Sequence, residues 1–355
     1  MSSVVTQTIR HPSQEKKWPE SRFCSPEPSR PNNSTRQAGL NIQSREIRGV
    51  DDLREAVRGA NLSIVQLTPG KLHGHLLHAQ VGNLVLSTGD FGSAIRARGV
   101  MSPEMVTIGM MLESGGEVAQ WDYDVVPGDI VVFPKSVEQE GRFTGYSSYA
   151  TITLSEEDLA EHMTGEGELQ DPRFWTKIDR FRTLPSRRNS SRRAIAERIA
   201  QLRCGAAPQS AAGMEFFRRA LIEAFCSGIV DETSQESGEA HYNSAKLIRK
   251  VEDYADGLSS DRPLHISELC STLNVSRRSL HRAFHDAMGI GPVAYLRFRR
   301  LSAVHHALMT LDPKDVNITQ IAIDHGFADL GRFSGYFRQM FQESPSQFRR
   351  RAAVS

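Results

Sequence analysis

I-S-E-L-C-S-T-L-N-V-S-R-R-S-L-H-R-A-F, residues 266–284, returns as I-T-Q-I-A-I-D-H-G-F-A-D-L-G-R-F-S-G-Y-F, residues 318–337. An offset of 52 pairs Ile266 with Ile318, Leu269 with Ile321 and Cys270 with Ala322. One extra residue after the turn moves the offset to 53 and pairs Leu280 with Phe333, Phe284 with Phe337 and Pro292 with Pro345. A pattern present only twice is a duplicated supersecondary unit, since stacked solenoids need three or more copies. Ile266, Leu269, Cys270 and Leu273 fall at i, i+3, i+4 and i+7, the buried stripe of a short helix. Asn274-Val275 breaks that stripe, and Ser276 is a suitable N-cap for a second helix. That helix buries Leu280, Ala283, Phe284 and Ala287 and turns Arg277, Arg278, His281, Arg282 and His285 outward.

Two short helices, a tight turn and a basic outer face make a helix-turn-helix, here predicted over 266–287. The second copy, predicted over 318–341, has Gly326 at its turn, where a positive φ is often required. Its second helix is expected to bury Phe333, Phe337 and Phe341 and to expose Arg332 and Arg338. The competing reading is a pair of ordinary helical hairpins with solvated charges, and two copies in register weigh against it. Between the units, Pro292 suits a first helical turn, and Leu301, Val304 and Leu308 continue a helical stripe. A connecting helix over 292–310 spans roughly 28 Å. Successive major-groove faces on one side of B-DNA repeat every ~34 Å, so a rod of this length holds both second helices against one face of a duplex.

The motifs G-I-G-P-V-A-Y-L-R at 289–297, H-G-F-A-D-L-G-R-F-S at 325–334 and S-P-S-Q-F-R at 344–349 resemble the AraC/XylS family of bacterial transcription regulators, over about residues 245–350. The resemblance implies an all-helical domain at 242–350 whose two units each insert their second helix into double-stranded DNA. It also implies a sensor domain before that one, a small-molecule effector, RNA polymerase as a partner and activation as the outcome. Gly335 stands where many members carry a basic residue, and Phe341-Gln342-Glu343 lacks a glycine often found there.

The expected DNA-contacting residues are Arg277, Arg278, Ser279, His281 and Arg282 in the first unit, and Leu330, Gly331, Arg332, Ser334 and Arg338 in the second. Arginine can bond two acceptors of guanine in the major groove, which gives ~1–3 kcal/mol of base discrimination. The first helix is the more basic. It is therefore expected to read sequence while the second positions the protein on phosphates.

The formal charge of +1 conceals an asymmetry. From His241 onward there are 16 Lys+Arg against 11 Asp+Glu, leaving 27 against 31 for the rest. A positive module beside a mildly acidic one fits a DNA-contacting domain attached to something else. The four cysteines, at 24, 204, 226 and 270, have neither C-x-x-C nor metal-site spacing, and reduced thiols are expected. With no apolar run long enough for a membrane helix and no apolar signal core, the expectation is a soluble cytoplasmic protein.

Residues 1–45 are rich in Ser, Pro, Asn, Gln and Arg and read as a disordered tail. Asp51–Gly59 is a candidate short helix. The following region, within a domain assigned to 46–160, has short apolar runs punctuated by glycine, at 63–67, 74–80, 84–88, 105–112, 129–133 and 148–154. Such strands predict an antiparallel jelly roll, so the whole chain is expected to be a β-rich cupin-like domain followed by an all-α domain. Val126–Gln139 resembles the second cupin motif, with Gly128 and Pro134 at matching positions, but Ser136 replaces a glycine and Gln139 the metal-binding histidine. Glutamine is a poor metal ligand beside imidazole. His73 and His75 form an H-x-H, yet no glutamate follows at the spacing of the first motif, so neither a metal, a cofactor nor catalytic residues are assigned.

The barrel is read as a sensing pocket, with a purely structural or dimer-forming barrel as the alternative; a cupin-type enzyme fused to a DNA-binding module is the competing function. Residues 161–230 are expected to be helical, with stripes at Ile195, Ile199 and Leu202 and at Phe217, Leu221 and Ala224 that serve either a homodimer or the protein's own core. Residues 231–241 read as a linker.

Overall fold

The apolar runs V-T-I-G-M-M-L (106–112) and I-V-V-F (130–133) leave no polar face, so a sheet containing them must be covered on both sides. The computed structural model shows how. It describes residues 34–37, 40–163, 167–182, 184–208, 210–227, 229, 239–258, 264–312, 317–327 and 329–352. The strands are β1 (Ser34–Gln37), β2 (Leu40–Ile47), β3 (Asn61–Gln66), β4 (Gly74–Val81), β5 (Leu84–Phe91), β6 (Ile95–Val100), β7 (Val106–Ser114), β8 (Val118–Gln120), β9 (Tyr123–Asp124), β10 (Ile130–Phe133), β11 (Glu138–Phe143), β12 (Ser147–Leu154) and β13 (Asp179–Phe181). An eight-stranded sheet runs β1-β2-β4-β5-β12-β7-β10-β13 and a five-stranded one β3-β6-β11-β8-β9. Their strand pairs are antiparallel.

Alternation assigns the faces. In β10, Ile130 and Val132 join one core cluster and Val131 and Phe133 another. The first cluster lies between the larger sheet and the helices α1 (Glu156–His162), α2 (Pro185–Arg203) and α3 (Ala211–Cys226). The apolar stripes expected on α2 and α3 are spent there: Ile195, Ile199, Leu202, Phe217, Leu221 and Ala224 are all buried within the chain. The second cluster fills the space between the two sheets, where Leu76 and Phe91 face Ile64, Ile95 and Phe143. The Pro-Gly-Asp turn has Gly128 at φ +90°, and Asp129, wholly buried, accepts hydrogen bonds from Arg182 at 2.6 Å and from the Val126 amide at 3.0 Å. Ser136, which replaces the motif's glycine, still takes that glycine's left-handed conformation (φ +58°), and its hydroxyl donates to the Pro103 carbonyl at 2.7 Å.

Four expectations need correction. The fold reaches into the stretch read as a disordered tail, because β1 lies before residue 46 and β2 begins before it; residues 1–33, 38 and 39 fall outside the described residues. In β2 only the two ends, Leu40 and Ile47, are buried, so its polar middle hid the strand. Within the region expected to be helical, Asp179–Phe181 is a strand paired with β10. Of the expected linker, 231–238 lie outside the described residues, and its last three residues open helix α4 (Glu239–Asp256). The candidate short helix after Val50 is a 3-10 turn over Val50–Glu55.

The remaining helices are α5 (Ile266–Thr272), α6 (Arg277–Met288), α7 (Pro292–Thr310), α8 (Ile318–Asp324), α9 (Leu330–Phe341) and α10 (Pro345–Ala352). Of these helices, α6 and α7, together with α4, pack on the outer face of the smaller sheet. Val65, Leu67 and Ala94 pack there with Ile248, Phe284 and Tyr295.

Candidate nucleic-acid interface

Each recognition helix is set by its cap. The Ser276 hydroxyl accepts the Ser279 amide at 3.0 Å and starts α6; the Asp329 carboxylate accepts the Arg332 amide at 3.0 Å and starts α9. The turns before them use left-handed backbone at Asn274 (φ +51°) and Gly326 (φ +76°). Burial of Leu280, Ala283, Phe284 and Met288 fixes the rotation of α6, as Phe333, Phe337, Met340 and Phe341 fix that of α9.

With the rotations set, Arg277, Arg278, Ser279, His281 and Arg282 are exposed on α6, and Leu330, Gly331, Arg332, Ser334 and Arg338 on α9. Ser279 is engaged locally, its hydroxyl 2.9 Å from that of Ser276. Arg282 and Arg332 have side chains 82% and 78% exposed and pair with nearby acids, Asp286 at 3.5 Å and the N-cap Asp329 at 3.3 Å. Such contacts are weak and easily exchanged for phosphate or base acceptors.

Helix α7 spans nineteen residues, opens with Pro292 at its first turn and grips both units. Tyr295 packs on Phe284 with ring centroids 5.4 Å apart. Toward the second unit, the Arg297 guanidinium lies 4.3 Å from the Tyr336 ring centre and Arg300 donates to the Gly326 carbonyl at 3.3 Å.

Sequence reasoning missed the boundary between the sheets and these helices. Glu252 of α4 is buried and accepts two bonds from Arg96 of β6, at 2.6 and 2.7 Å, and one from the Tyr295 hydroxyl. Arg96 also donates to Glu140 at 2.8 Å. Burial pushes the Glu252 carboxyl up, but the Arg96 charge and bonds outweigh it and hold it below the ordinary range. At the other end, Asp51 is bound by Nδ1 of His305 at 2.5 Å and Nδ1 of His306 at 2.8 Å, both on α7, and by Arg54 at 2.9 Å. Burial raises the Asp51 carboxyl too, and His305 and Arg54 bring it net below its usual value. His305 itself sits among Phe337, Phe341 and Phe348 of the second unit. The sequence sign of the Arg96 contacts was charge at period two in I-R-A-R (95–98) and E-Q-E-G-R-F (138–143).

Between the two sheets lies a cavity with about 670 Å³ of empty space, its mouth included. Leu53, Ala56 and Val57 form one wall, beside the Asp51 contact. The residues do not fit a cupin metal centre. Gln139 lines the cavity, whereas His73 and His75 are exposed and His75 lies 3.5 Å from Asp90. Among the described residues, no three His, Cys, Asp or Glu side chains converge.

Two helix-turn-helix units with outward, arginine-bearing second helices on one stiff helix define a DNA-binding protein. Residues 269–351 match the family model described as a helix-turn-helix domain. Over 101 residues the chain is 32% identical to the "Probable thc operon regulatory protein" of Rhodococcus erythropolis, a match covering 28% of this chain and 30% of that one. Over 85 residues it is 35% identical to "XylDLEGF operon transcriptional activator 2" of Pseudomonas putida, covering 24% of this chain and 54% of that one. Among solved structures, the AraC-like transcriptional activator CuxR aligns with 73% of this chain and 93% of its own, at 14% identity and a TM-score of 0.39. The C-terminal part of the chain, residues 269–351, is thus a helix-turn-helix domain of the kind carried by AraC/XylS-type transcription regulators. The chain spans about half the length, or less, of these two curated relatives. No described helix is long and apolar enough to cross a membrane.

Proposed function

We propose that this protein activates transcription by placing α6 and α9 in neighbouring major grooves, and that a small molecule in the cavity between the sheets controls that placement. The observation that carries the DNA reading is the joint exposure of Arg277, Arg278, Arg282, Arg332 and Arg338 while α7 grips both units. Activation is taken from the printed name of the Pseudomonas putida relative, and contact with RNA polymerase follows from it. The α6 face carries the base discrimination and α9 the phosphate contacts that set register.

Coupling between the cavity and the DNA-binding helices is assigned to residues 50–57. Leu53, Ala56 and Val57 line the cavity while Asp51 holds His305 and His306 of α7. A ligand that moves this wall moves a contact of the helix that spaces the two units. Selection of sequences bound by the full chain from a random duplex pool tests the DNA reading. The expected result is a motif with two blocks about one helical turn apart, ~10 base pairs. Recovery without any enriched motif overturns it.

A further inference from the structure

We propose that the cavity between the sheets takes an uncharged, mostly apolar molecule bearing a carboxamide, or a group with the same donor and acceptor pair, held by Gln139 and Gln120. This rests on the reading of the cavity as an effector site and names the class of effector.

The first argument is charge. Among the described residues that line the cavity, none is ionised at neutral pH. An ion placed there would be stripped of water without a counter-charge.

The second is the state of the two glutamines. Gln139 is 1% exposed, and neither its amide oxygen nor its amide nitrogen has a partner; Gln120 is 8% exposed, and its oxygen has none. Buried polar groups are rarely left this way in a folded protein, and a binding role is one of the accepted reasons. Their placement is consistent with a shared target. Gln139 and Gly141 point to the same face of β11, and Gln120 of β8 is paired directly with Gly141. Gly141 makes room for Gln120, because a Cβ there would lie 2.8 Å from the Gln120 oxygen.

The third is that the other polar groups of the wall are engaged. The Tyr149 hydroxyl donates to the Ala56 carbonyl at 2.6 Å, and the Thr151 hydroxyl to the Ser87 carbonyl at 3.3 Å. What remains is one N–H donor source on Gln139 and two acceptor oxygens, on Gln139 and Gln120. A carboxamide supplies the complementary set, an acceptor and an N–H pair. A carboxylate supplies acceptors only and adds a charge.

The probes are cyclohexanecarboxamide and its near-isostere cyclohexanecarboxylate, titrated into the full chain with ligand-observed NMR. The carboxamide is expected to bind at least ~10-fold more tightly than the carboxylate, because the two glutamine oxygens stay unpaired with the latter and its charge is stripped of water. In Gln139→Leu, carboxamide affinity is expected to fall about 10-fold while the melting temperature holds or rises, since an unpartnered buried amide has been removed. Gln120→Leu should act in the same sense and is the second variant. Equal or tighter carboxylate binding overturns the proposal, as does absence of carboxamide binding up to its solubility limit. So does unchanged affinity in the glutamine variants, or a lowered melting temperature in Gln139→Leu, which would make that amide a structural group. DNA affinity of ligand-free protein, measured alongside, separates the two readings: intact DNA binding with failed carboxamide binding sinks only this inference.

Discussion

In the first helix-turn-helix unit, the buried acid at the boundary with the sheets is Glu252, on the helical side, and its cation Arg96 belongs to β6. In the second unit the polarity is reversed: the acid, Asp51, belongs to the sheet side, and His305 and His306 belong to α7. The duplicated sequence does not extend to these fasteners. Leu280 and Phe284 of α6 correspond to Phe333 and Phe337 of α9, yet the first pair packs with α4 and the smaller sheet, whereas Phe337 stacks on His305 and Phe333 packs on Phe337 and Phe327. Copies of one supersecondary unit have thus acquired separate attachments to one scaffold, so each can be loosened without the other.

The largest expected effect breaks the first attachment. Glu252→Ala leaves the Arg96 guanidinium buried with Glu140 alone and should cost about 3–5 kcal/mol. Asp51→Ala should cost less, about 2 kcal/mol, because His306 at the second attachment is partly exposed and can turn to water. Amide hydrogen exchange is the measurement: Glu252→Ala should raise exchange in α5 and α6, and Asp51→Ala in α8 and α9. Uniform exchange increases in both variants would show one cooperative block instead.

Acid separates the attachments from the sheets that carry them. Both carboxyls titrate below their ordinary values, so their stabilisation is complete above those values and is lost only as the pH falls through the lowered ones. His78 of β4 behaves oppositely. Burial, with the charges of Arg58 and Arg45, lowers it from 6.5 to about 4, so the folded sheet holds the neutral ring. The unfolded chain binds the extra proton between pH 6.5 and 4, and stability therefore falls across that window as pH drops, by on the order of 2 kcal/mol. Urea unfolding at pH 7 and pH 4.5 measures the loss, and His78→Gln should flatten it. The larger sheet is thus expected to weaken at a pH where both attachments still hold.

On DNA, the comparison becomes one of roles. Arg282→Ala should cost about 1–3 kcal/mol of discrimination between the selected site and random duplex. Arg332→Ala should weaken both by a similar factor and reduce the salt dependence by about one phosphate contact. Equal loss of discrimination from the two variants would remove the division of labour between α6 and α9.

How much of this was legible follows from where the signals lay. Both units could be read because their caps, turns and buried stripes are local: Ser276, Gly326 and the spacing of Leu280, Phe284, Phe333 and Phe337 need no distant partner. β7, β10 and β12 could be read from apolar runs. β6 and β11 could not, because Arg96, Arg98, Glu138 and Glu140 alternate with small or apolar residues and look like a solvent face; α4 covers that face instead. The attachments were illegible for the same reason in stronger form, since Arg96 and Glu252 are 156 residues apart in the chain and Asp51 and His305 are 254 apart. The inward turn of Gln139 had a sequence sign, its place in the second cupin motif. The pairing of Gln120 beside it had none.

The smallest expected effect sharpens the contrast between the recognition faces themselves. Gly335 lies in the middle of α9 on its exposed side, and an added Cβ would meet nothing within 4 Å. Glycine in a helix interior costs about 0.5–1 kcal/mol relative to alanine, so Gly335→Ala should stabilise the second unit by that amount, read as a raised melting temperature. Its effect on DNA decides what the glycine is for. If α9 lies close against phosphates through its backbone, the methyl group stands in the way and affinity falls equally for specific and random duplex despite the gain in stability. If affinity is unchanged, the face stands off from the backbone, and Gly335→Lys, which restores a positive charge at an open position, should then tighten both duplexes and steepen their salt dependence.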